Sequence, residues 1–168
     1  MSFTTTVRHF DQLSNHELYA IIRLRNEVFV VEQNCIFQDA DDKDQLSYHV
    51  MIFSSDKLVA YARVLPAGVS YNDVSIGRVV SDKKARGTGV GRRLMVDSLS
   101  FISEKFGDCD VRISAQTYLL KFYNSLGFKE SGKVYLEDGI EHIEMVSTIS
   151  KDTEKQVPEE SQLNKYNK

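Results

Sequence analysis

A glycine-rich, basic loop between an apolar run and a helical pattern constrains the fold of this chain most. The apolar run "VSIGRVV" ends at Val80, and "DKKARGTGVGRRL" follows from Asp82. From Val90, large apolar residues recur at steps of three and four as far as Phe106, which predicts a helix, and Gly107 stands where helices commonly stop. The first N–H groups of such a helix have no partner within it, and glycines let an anion approach them. The loop therefore predicts a phosphate or pyrophosphate site.

The spacing of residues within the loop distinguishes between the known kinds of phosphate site. A P-loop requires GxxxxGK followed by Ser or Thr, and no lysine stands at that place. The segment "GTGVGR" also departs from GxGxxG, which disfavours a dinucleotide site. A turn that merely connects two elements remains the alternative, so the loop needs a second, independent motif.

The segments around the loop predict an α+β fold. Ser14 and Glu17 stand at capping-box spacing and open a first helix, and Asp138-Gly139 is typical of a hairpin turn between two strands. Further strands are predicted in "LSYHVMIFS", "KLVAYARVL", residues 73–81 and "DVRISA", and a short helix in "QTYLLKFYNSLGF". An antiparallel sheet with helices packed on it and one βαβ-like passage in the middle fits this order.

Length and composition narrow the class of protein. The 168 residues predict one domain over residues 1–150, and the polar segment 151–168 is expected to be disordered. The longest apolar runs are far shorter than the roughly 20 residues of a spanning helix. The start "MSFTTTVRHF" lacks the basic-then-apolar order of a secretion signal, so we expect a soluble, cytoplasmic protein without a membrane partner.

Charge and cysteine usage disfavour two further classes. The net charge of −3, with no aromatic residues interleaved among the loop arginines, argues against a nucleic-acid partner. Cys35 and Cys109 are the two cysteines and form no CxxC pair, so neither a structural zinc site nor a disulfide framework is expected.

The second motif lies some thirty residues after the loop. The loop "RGTGVG" (residues 86–91) matches [Q/R]-x-x-G-x-[G/A], and "YNSLGF" (residues 123–128) matches a Tyr-x-x-x-Gly-Phe helix ending. In this order the two motifs resemble the GNAT family of acyl-CoA N-acyltransferases. The segments "LRNEVFVVEQNC", "LVAYARVLP" and "YLEDGIEHIEM" are similar to its ElaA-like branch, and the resemblance extends over roughly residues 3–148. It implies a GNAT-like fold, with a central, mostly antiparallel, splayed β-sheet flanked by helices.

The resemblance also implies acetyl-CoA as co-substrate and no metal. In the family, the strand before the loop pairs its backbone with the pantetheine arm, and the loop amides hold the pyrophosphate. The positions that match are Val79, Val80 and Ser81 for the strand, Gly87, Thr88, Gly89, Val90 and Gly91 for the loop amides, and Arg86 and Arg92 for added charge. Gln116 stands where the family often has asparagine, so the side-chain amide for the cofactor hydrogen bond is carried on a longer side chain.

The implied reaction is direct attack of an amine on the thioester. Tyr123 is similar to the family tyrosine near the CoA sulfur and could protonate the departing thiolate, or it could be a partly buried aromatic. An amine is mostly protonated at neutral pH, so a base or a water chain must first remove a proton. Glu32 is the first candidate for this base, followed by His49 and Glu27, and each of them also has an ordinary structural explanation.

The acceptor side is the least defined from sequence. Arg78 interrupts an apolar strand, and it is expected either to pair with an acidic neighbour or to bind a carboxylate of the acceptor; Glu27 is a second acceptor-side candidate. "QDADDKDQ" fails the EF-hand spacing and is expected to be a solvated loop or an acidic rim that attracts a cationic amine. The acceptor is expected to be a small-molecule or peptide amine, with a catalytically silent acyl-CoA-binding module as the alternative, and a homodimer is left open.

Overall fold

The computed structural model describes residues 2–151, and these residues form one eight-stranded sheet with helices on both faces. The strands are β1 (Phe3–His9), β2 (Tyr48–Ser54), β3 (Lys57–Leu65), β4 (Val74–Ser81), β5 (Cys109–Gln116), β6 (Lys129–Glu130), β7 (Tyr135–Glu137) and β8 (Ile140–Ile149). Their order is β1-β2-β3-β4-β5-β8-β6, and β7 also pairs with β8. The predicted tail lies outside the described residues, apart from Lys151.

The α- and π-helices are α1 (Asn15–Arg25), a π-helix (Asn26–Glu32), α2 (Val90–Phe106) and α3 (Leu120–Asn124). α1 begins where the sequence places its cap. The Ser14 hydroxyl accepts from the Glu17 N–H, and the Glu17 carboxylate accepts from the Ser14 N–H, which confirms the capping box. The helix that Ser14 caps continues to Glu32, but it widens to π geometry after Arg25. Such widening turns are frequent at functional sites.

Two apolar layers cover the two faces of the sheet. Residues alternate along β2, so that Val50 and Ile52 pack with α2 in the larger core, while Met51 points to the opposite face. There it packs with Ile21 and Leu24 of α1. Within residues 2–151, no helix combines the length and the apolar character that a membrane span requires.

The centre of the sheet is open at one end. All the other strand pairs are antiparallel, but β4 and β5 are parallel and pair only at Val74–Val111 and Ser75–Arg112. Beyond these two pairs the strands separate, and α2 connects the end of β4 to the start of β5. This confirms the predicted βαβ passage, the splay of the sheet and the α+β class.

Candidate functional site

A large cleft occupies the place where β4 and β5 separate. Its volume is about 1000 Å³, and it is bounded by the glycine loop, the two diverging strands, the π-helix and the hairpin of β7 and β8. The cleft therefore has two ends. The loop end lies at the loop that precedes α2, and the second end lies between the hairpin and residues 39–44; it is called the acceptor end after the cationic amine that the acidic segment is expected to attract.

The loop end presents backbone amides. Gly87 and Gly89 have left-handed φ angles of 77° and 85°, which favour glycine, and Gly89 immediately precedes α2. Val90 and Gly91 are the first two residues of α2 and contribute backbone here, since the Val90 side chain is buried in the core. The Thr88 hydroxyl donates to the Ala85 carbonyl at 2.5 Å, which fixes the turn. The N–H groups at this helix start, together with its dipole, favour an anion.

Two arginines flank these amides. Arg86 donates to Glu32 Oε2 at 3.1 Å and to the Ser81 carbonyl at 3.1 Å, while Arg92 donates to the Ser125 hydroxyl at 3.0 Å. Both arginines line the cleft. The hydrogen bond from Arg86 holds the pKa of Glu32 below its usual value. Glu32 lines the cleft, but its carboxylate is already paired with Arg86, and this pairing reduces its basicity.

The open edge of β4 provides further backbone groups. The Asp82 N–H donates to the Val59 carbonyl of β3 at 2.8 Å, so alternation directs the N–H and C=O groups of Val79 and Ser81 away from β3. The bond from Arg86 to the Ser81 carbonyl agrees with this direction. Val79, Val80 and Ser81 all line the cleft.

Tyr123 and Gln116 lie in the wall opposite β4. Tyr123 is 6% exposed, lines the cleft and packs edge-to-face against Phe122 and Phe128. Burial raises the pKa of Tyr123 to about 12, so its phenol stays protonated at neutral pH and can donate a proton. Gln116 is the last residue of β5, and it also lines the cleft.

Two of the three predicted bases lie away from the cleft. His49 is fully buried, and its Nε2 faces the Asp44 carbonyl at 3.0 Å and must donate to it. Nδ1 therefore accepts from the Tyr61 hydroxyl at 2.7 Å, which leaves no nitrogen for an acceptor. Desolvation by burial also lowers the pKa of His49. Glu27 lies in a shallow groove on the outer face of α1 with Tyr19, so it contacts neither end of the cleft.

The acceptor end is held by a cluster of ion pairs. It joins three arginines from three elements to three aspartates of one loop, namely Arg25, Arg63 and Arg78 with Asp39, Asp41 and Asp44. Arg25 and Arg63 are 1% and 3% exposed, so they pair in a largely dry environment. We call these six residues the Arg–Asp cluster. The sequence predicts a solvated loop or an acidic rim that attracts a cationic amine. Asp42 is exposed, as in a solvated loop, whereas the three carboxylates of the cluster are paired with arginine.

Arg78 belongs to this cluster. Its Nε donates to Asp39 at 2.9 Å and its Nη2 to Asp41 at 3.3 Å, which selects the acidic neighbour among the two predicted partners of Arg78. Its φ of 52° coincides with a break in register between β3 and β4, so the backbone bulges here beside the cleft. Among residues 2–151, no group of three or more His, Cys, Asp or Glu is placed to hold a metal ion.

His142 on β8 is a cleft residue that the sequence analysis missed. It pairs with Gln116 across β5 and β8, and its ring stacks on Tyr135. The predicted hairpin already contained His142, but its position at the cleft follows from the pairing of β8 beside β5. Local pattern does not encode that neighbour relation.

The chain belongs to the GNAT family of acyltransferases, since the family model described as "Acetyltransferase (GNAT) domain" matches residues 11–149. Within that family it is similar to Protein ElaA of Escherichia coli (strain K12), with 42% identity over 143 residues that cover 84% of this chain and 94% of ElaA. The crystal structure of Escherichia coli ElaA superposes with a TM-score of 0.82 at 40% identity, covering 87% of this chain and 99% of that chain. An acyl-CoA N-acyltransferase from Pseudomonas aeruginosa gives 0.83 at 41% identity with the same coverage. These matches confirm the predicted family, its ElaA-like branch and the GNAT-like fold.

Proposed function

We propose that this protein is an N-acetyltransferase that transfers the acetyl group of acetyl-CoA to a primary amine of a small molecule or peptide. The observation that carries the proposal is the convergence of three features on one cleft. These are the glycine-loop amides before α2, the open edge of β4 and the protonated phenol of Tyr123. The Pseudomonas aeruginosa relative is called an acyl-CoA N-acyltransferase, which supports the same class of reaction here.

The binding mode follows from the geometry of the loop end. The pyrophosphate of CoA would accept hydrogen bonds from the amides of Gly87 to Gly91, with Arg92 beside them. The amide groups of the pantetheine arm would pair with the backbone of Val79 and Ser81, in the place that another strand would otherwise occupy. Arg86 is paired with Glu32, so it acts at the phosphates as one member of an ion pair.

The chemistry then uses the middle of the cleft. A backbone N–H of β4 next to Val80 polarises the thioester carbonyl while the neutral amine attacks its carbon. As the C–N bond forms and the C–S bond breaks, Tyr123 gives its proton to the departing sulfur. Binding at the loop end and proton donation at Tyr123 are separate steps, so they can be tested separately.

The test compares Tyr123→Phe with the wild type. Acetyl-CoA binding is measured by calorimetry and thermal upshift, and thiol release is followed with a panel of polyamines, amino sugars and peptides. We expect kcat to fall about 100-fold with little change in acetyl-CoA affinity, because the lost group acts in the transition state. Tyr19→Phe is the matched control, since Tyr19 is 73% exposed and outside the cleft.

The outcomes separate this proposal from its alternative. Binding of acetyl-CoA without thiol release from any amine would make the protein a catalytically silent acyl-CoA-binding module. An absence of both heat and thermal upshift would exclude both functions. Unchanged turnover in Tyr123→Phe would remove Tyr123 as the acid and leave the transferase function standing.

A further inference from the structure

His142 is an imidazole at the cleft whose two nitrogens have different surroundings. Nδ1 lies 2.8 Å from the carbonyl oxygen of Ile140, and a carbonyl can only accept. Nδ1 must therefore carry a proton, so the neutral ring has its lone pair on Nε2. This contact fixes the tautomer in which Nε2 can accept a proton.

The Nε2 side of the ring stays available. The nearest charged group is Glu137, whose Oε2 is 3.9 Å from Nε2, too long for a direct hydrogen bond. Glu137 lies across the hairpin, and its Oε2 also accepts from the Ser114 hydroxyl at 3.2 Å. The His142 side chain is 11% exposed and lines the cleft. Among residues 2–151, no group hydrogen-bonds to Nε2, so its lone pair is available and a carboxylate lies close enough to stabilise the ring once it is protonated.

The other charged or titratable groups around the ring are accounted for. On β8, Glu144 pairs with Arg112 of β5, which also pairs with Asp73. Tyr135 of β7 stacks on the ring and shares a hydrogen bond with Ser114. Other such residues of the adjoining segments are Glu141 on β8, Asp138 in the hairpin turn, Tyr118 in the turn after β5 and Tyr71 before β4, which interacts with Tyr135 and Glu137.

His142 also lies on the same side of the cleft as the segment that carries Tyr123. It pairs with Gln116, and the chain runs from Gln116 directly into the helical segment that carries Tyr123. The two other candidate bases with the right chemistry are already engaged, since Glu32 is paired with Arg86 and both nitrogens of His49 are hydrogen-bonded.

We propose that His142 is the general base for the acceptor amine, with Glu137 as a positioning residue that stabilises the imidazolium. This assignment rests on the proposed acetyl transfer. Nε2 takes one proton from the ammonium form of the acceptor, and the resulting amine attacks the thioester. The second proton passes from nitrogen to solvent as the C–N bond forms. Tyr123 gives its own proton to the sulfur and takes one back from solvent. The net reaction releases one proton, which leaves through His142.

The experiment uses two amines that differ in whether they need a base. With acetyl-CoA at pH 7, a primary alkylamine that the wild type accepts must be deprotonated first, whereas hydroxylamine is largely unprotonated already. For His142→Gln we expect kcat/KM to fall about 100-fold with the alkylamine and to stay within about threefold with hydroxylamine. His16→Gln is the matched control, because His16 is exposed on α1, and it should change neither rate.

The pH profile of Glu137→Gln provides a second readout. Removing a carboxylate beside the imidazole should move the acid limb of kcat/KM to lower pH, with acetyl-CoA affinity unchanged. This variant decides the question if His142→Gln does not fold, as its melting temperature would reveal.

The outcomes distinguish the base from the function. An equal loss with both amines, or no loss with either, overturns the role of His142 while wild-type turnover keeps the transferase function. An unmoved acid limb in Glu137→Gln removes the role of Glu137 and, where His142→Gln does not fold, that of His142 too. If the wild type binds acetyl-CoA and releases no thiol with any amine, the proposed function fails first, and the base with it.

Discussion

The two ends of the cleft present different kinds of group. At the loop end, the groups that face the cleft are backbone amides of residues 87–91 and of the β4 edge, and residues 87–89 are exposed. At the acceptor end, they are side chains that depend on buried ion pairs, above all those of Arg25 and Arg63. Backbone sites tolerate changes of side chain as long as the conformation survives. A buried charge cluster tolerates few changes, because each lost partner leaves an uncompensated charge.

Among the changes that test this difference, Arg25→Ala should have the largest effect on stability. Its guanidinium is 1% exposed and pairs with Asp39 and Asp44 at 2.8 Å, so its removal takes one of two arginine partners from each carboxylate and leaves a net negative charge in the cluster. We expect the free energy of unfolding to fall by about 3–5 kcal/mol. Urea denaturation followed by circular dichroism measures this change.

The control is an ion pair of the same chemistry at the surface. Arg8 pairs with Glu17 at 3.0 Å and is 44% exposed, so Arg8→Ala should cost less than about 1 kcal/mol. If the two variants lose similar stability, the Arg–Asp cluster is no more than a set of surface contacts, and the contrast between the two ends disappears.

The next largest effect should come from acid, which weakens the ion pairs of the Arg–Asp cluster at the acceptor end. Burial opposes the charged forms of Asp41 and Asp44, but ion pairs with Arg63 and Arg25 outweigh it and hold both pKa values below the ordinary value. A lowered pKa means that this stabilisation is complete above the ordinary aspartate value of about 4 and is lost as pH falls through the folded values. The melting temperature should therefore drop between pH 5 and pH 2, and by less in Asp41→Asn. A melting temperature with equal acid dependence in both proteins would contradict this origin.

A charge test at Gly89 should give the smallest effect, and it probes the loop end. Gly89 has a φ of 85°, and an added Cβ would meet nothing within 4 Å, so a substitution meets backbone strain and no clash. Asparagine and aspartate have the same shape, and both tolerate this backbone region better than most residues. We expect Gly89→Asp to bind acetyl-CoA about tenfold more weakly than Gly89→Asn, because only aspartate places a negative charge beside the pyrophosphate. Equal affinities by calorimetry would mean that the phosphates bind elsewhere.

The contrast between the two ends also explains what the sequence could predict. Gly87, Gly89 and the start of α2 lie in one continuous stretch, and the physics of a helix start acts over that same stretch. Tyr123 was predicted because the second motif surrounds it. The loop end was therefore accessible from local spacing together with a family resemblance.

The acceptor end depends on relations between distant segments. Arg63 pairs with Asp41 across 22 positions, and Arg78 pairs with Asp39 across 39. His142 reaches the cleft because β8 lies next to β5, an order that periodicity does not contain. His49 had the right chemistry for a base, but its burial and both of its hydrogen-bond partners are tertiary facts.

The separation of β4 from β5 has a consequence for how ligand binding to this protein can be detected. An unpaired strand edge at the rim of a sheet can pair with another chain. The unpaired edge of β4 lies inside the fold instead: β3 pairs with the other side of β4, and the pairs at Val74 and Ser75 close the far end of the gap. A thin, amide-bearing molecule can enter such a gap and complete the sheet from within. Occupancy of the cleft would then stabilise the centre of the molecule and slow hydrogen exchange at the β4 amides. The exchange rate of these amides would therefore report the fraction of the protein that carries ligand.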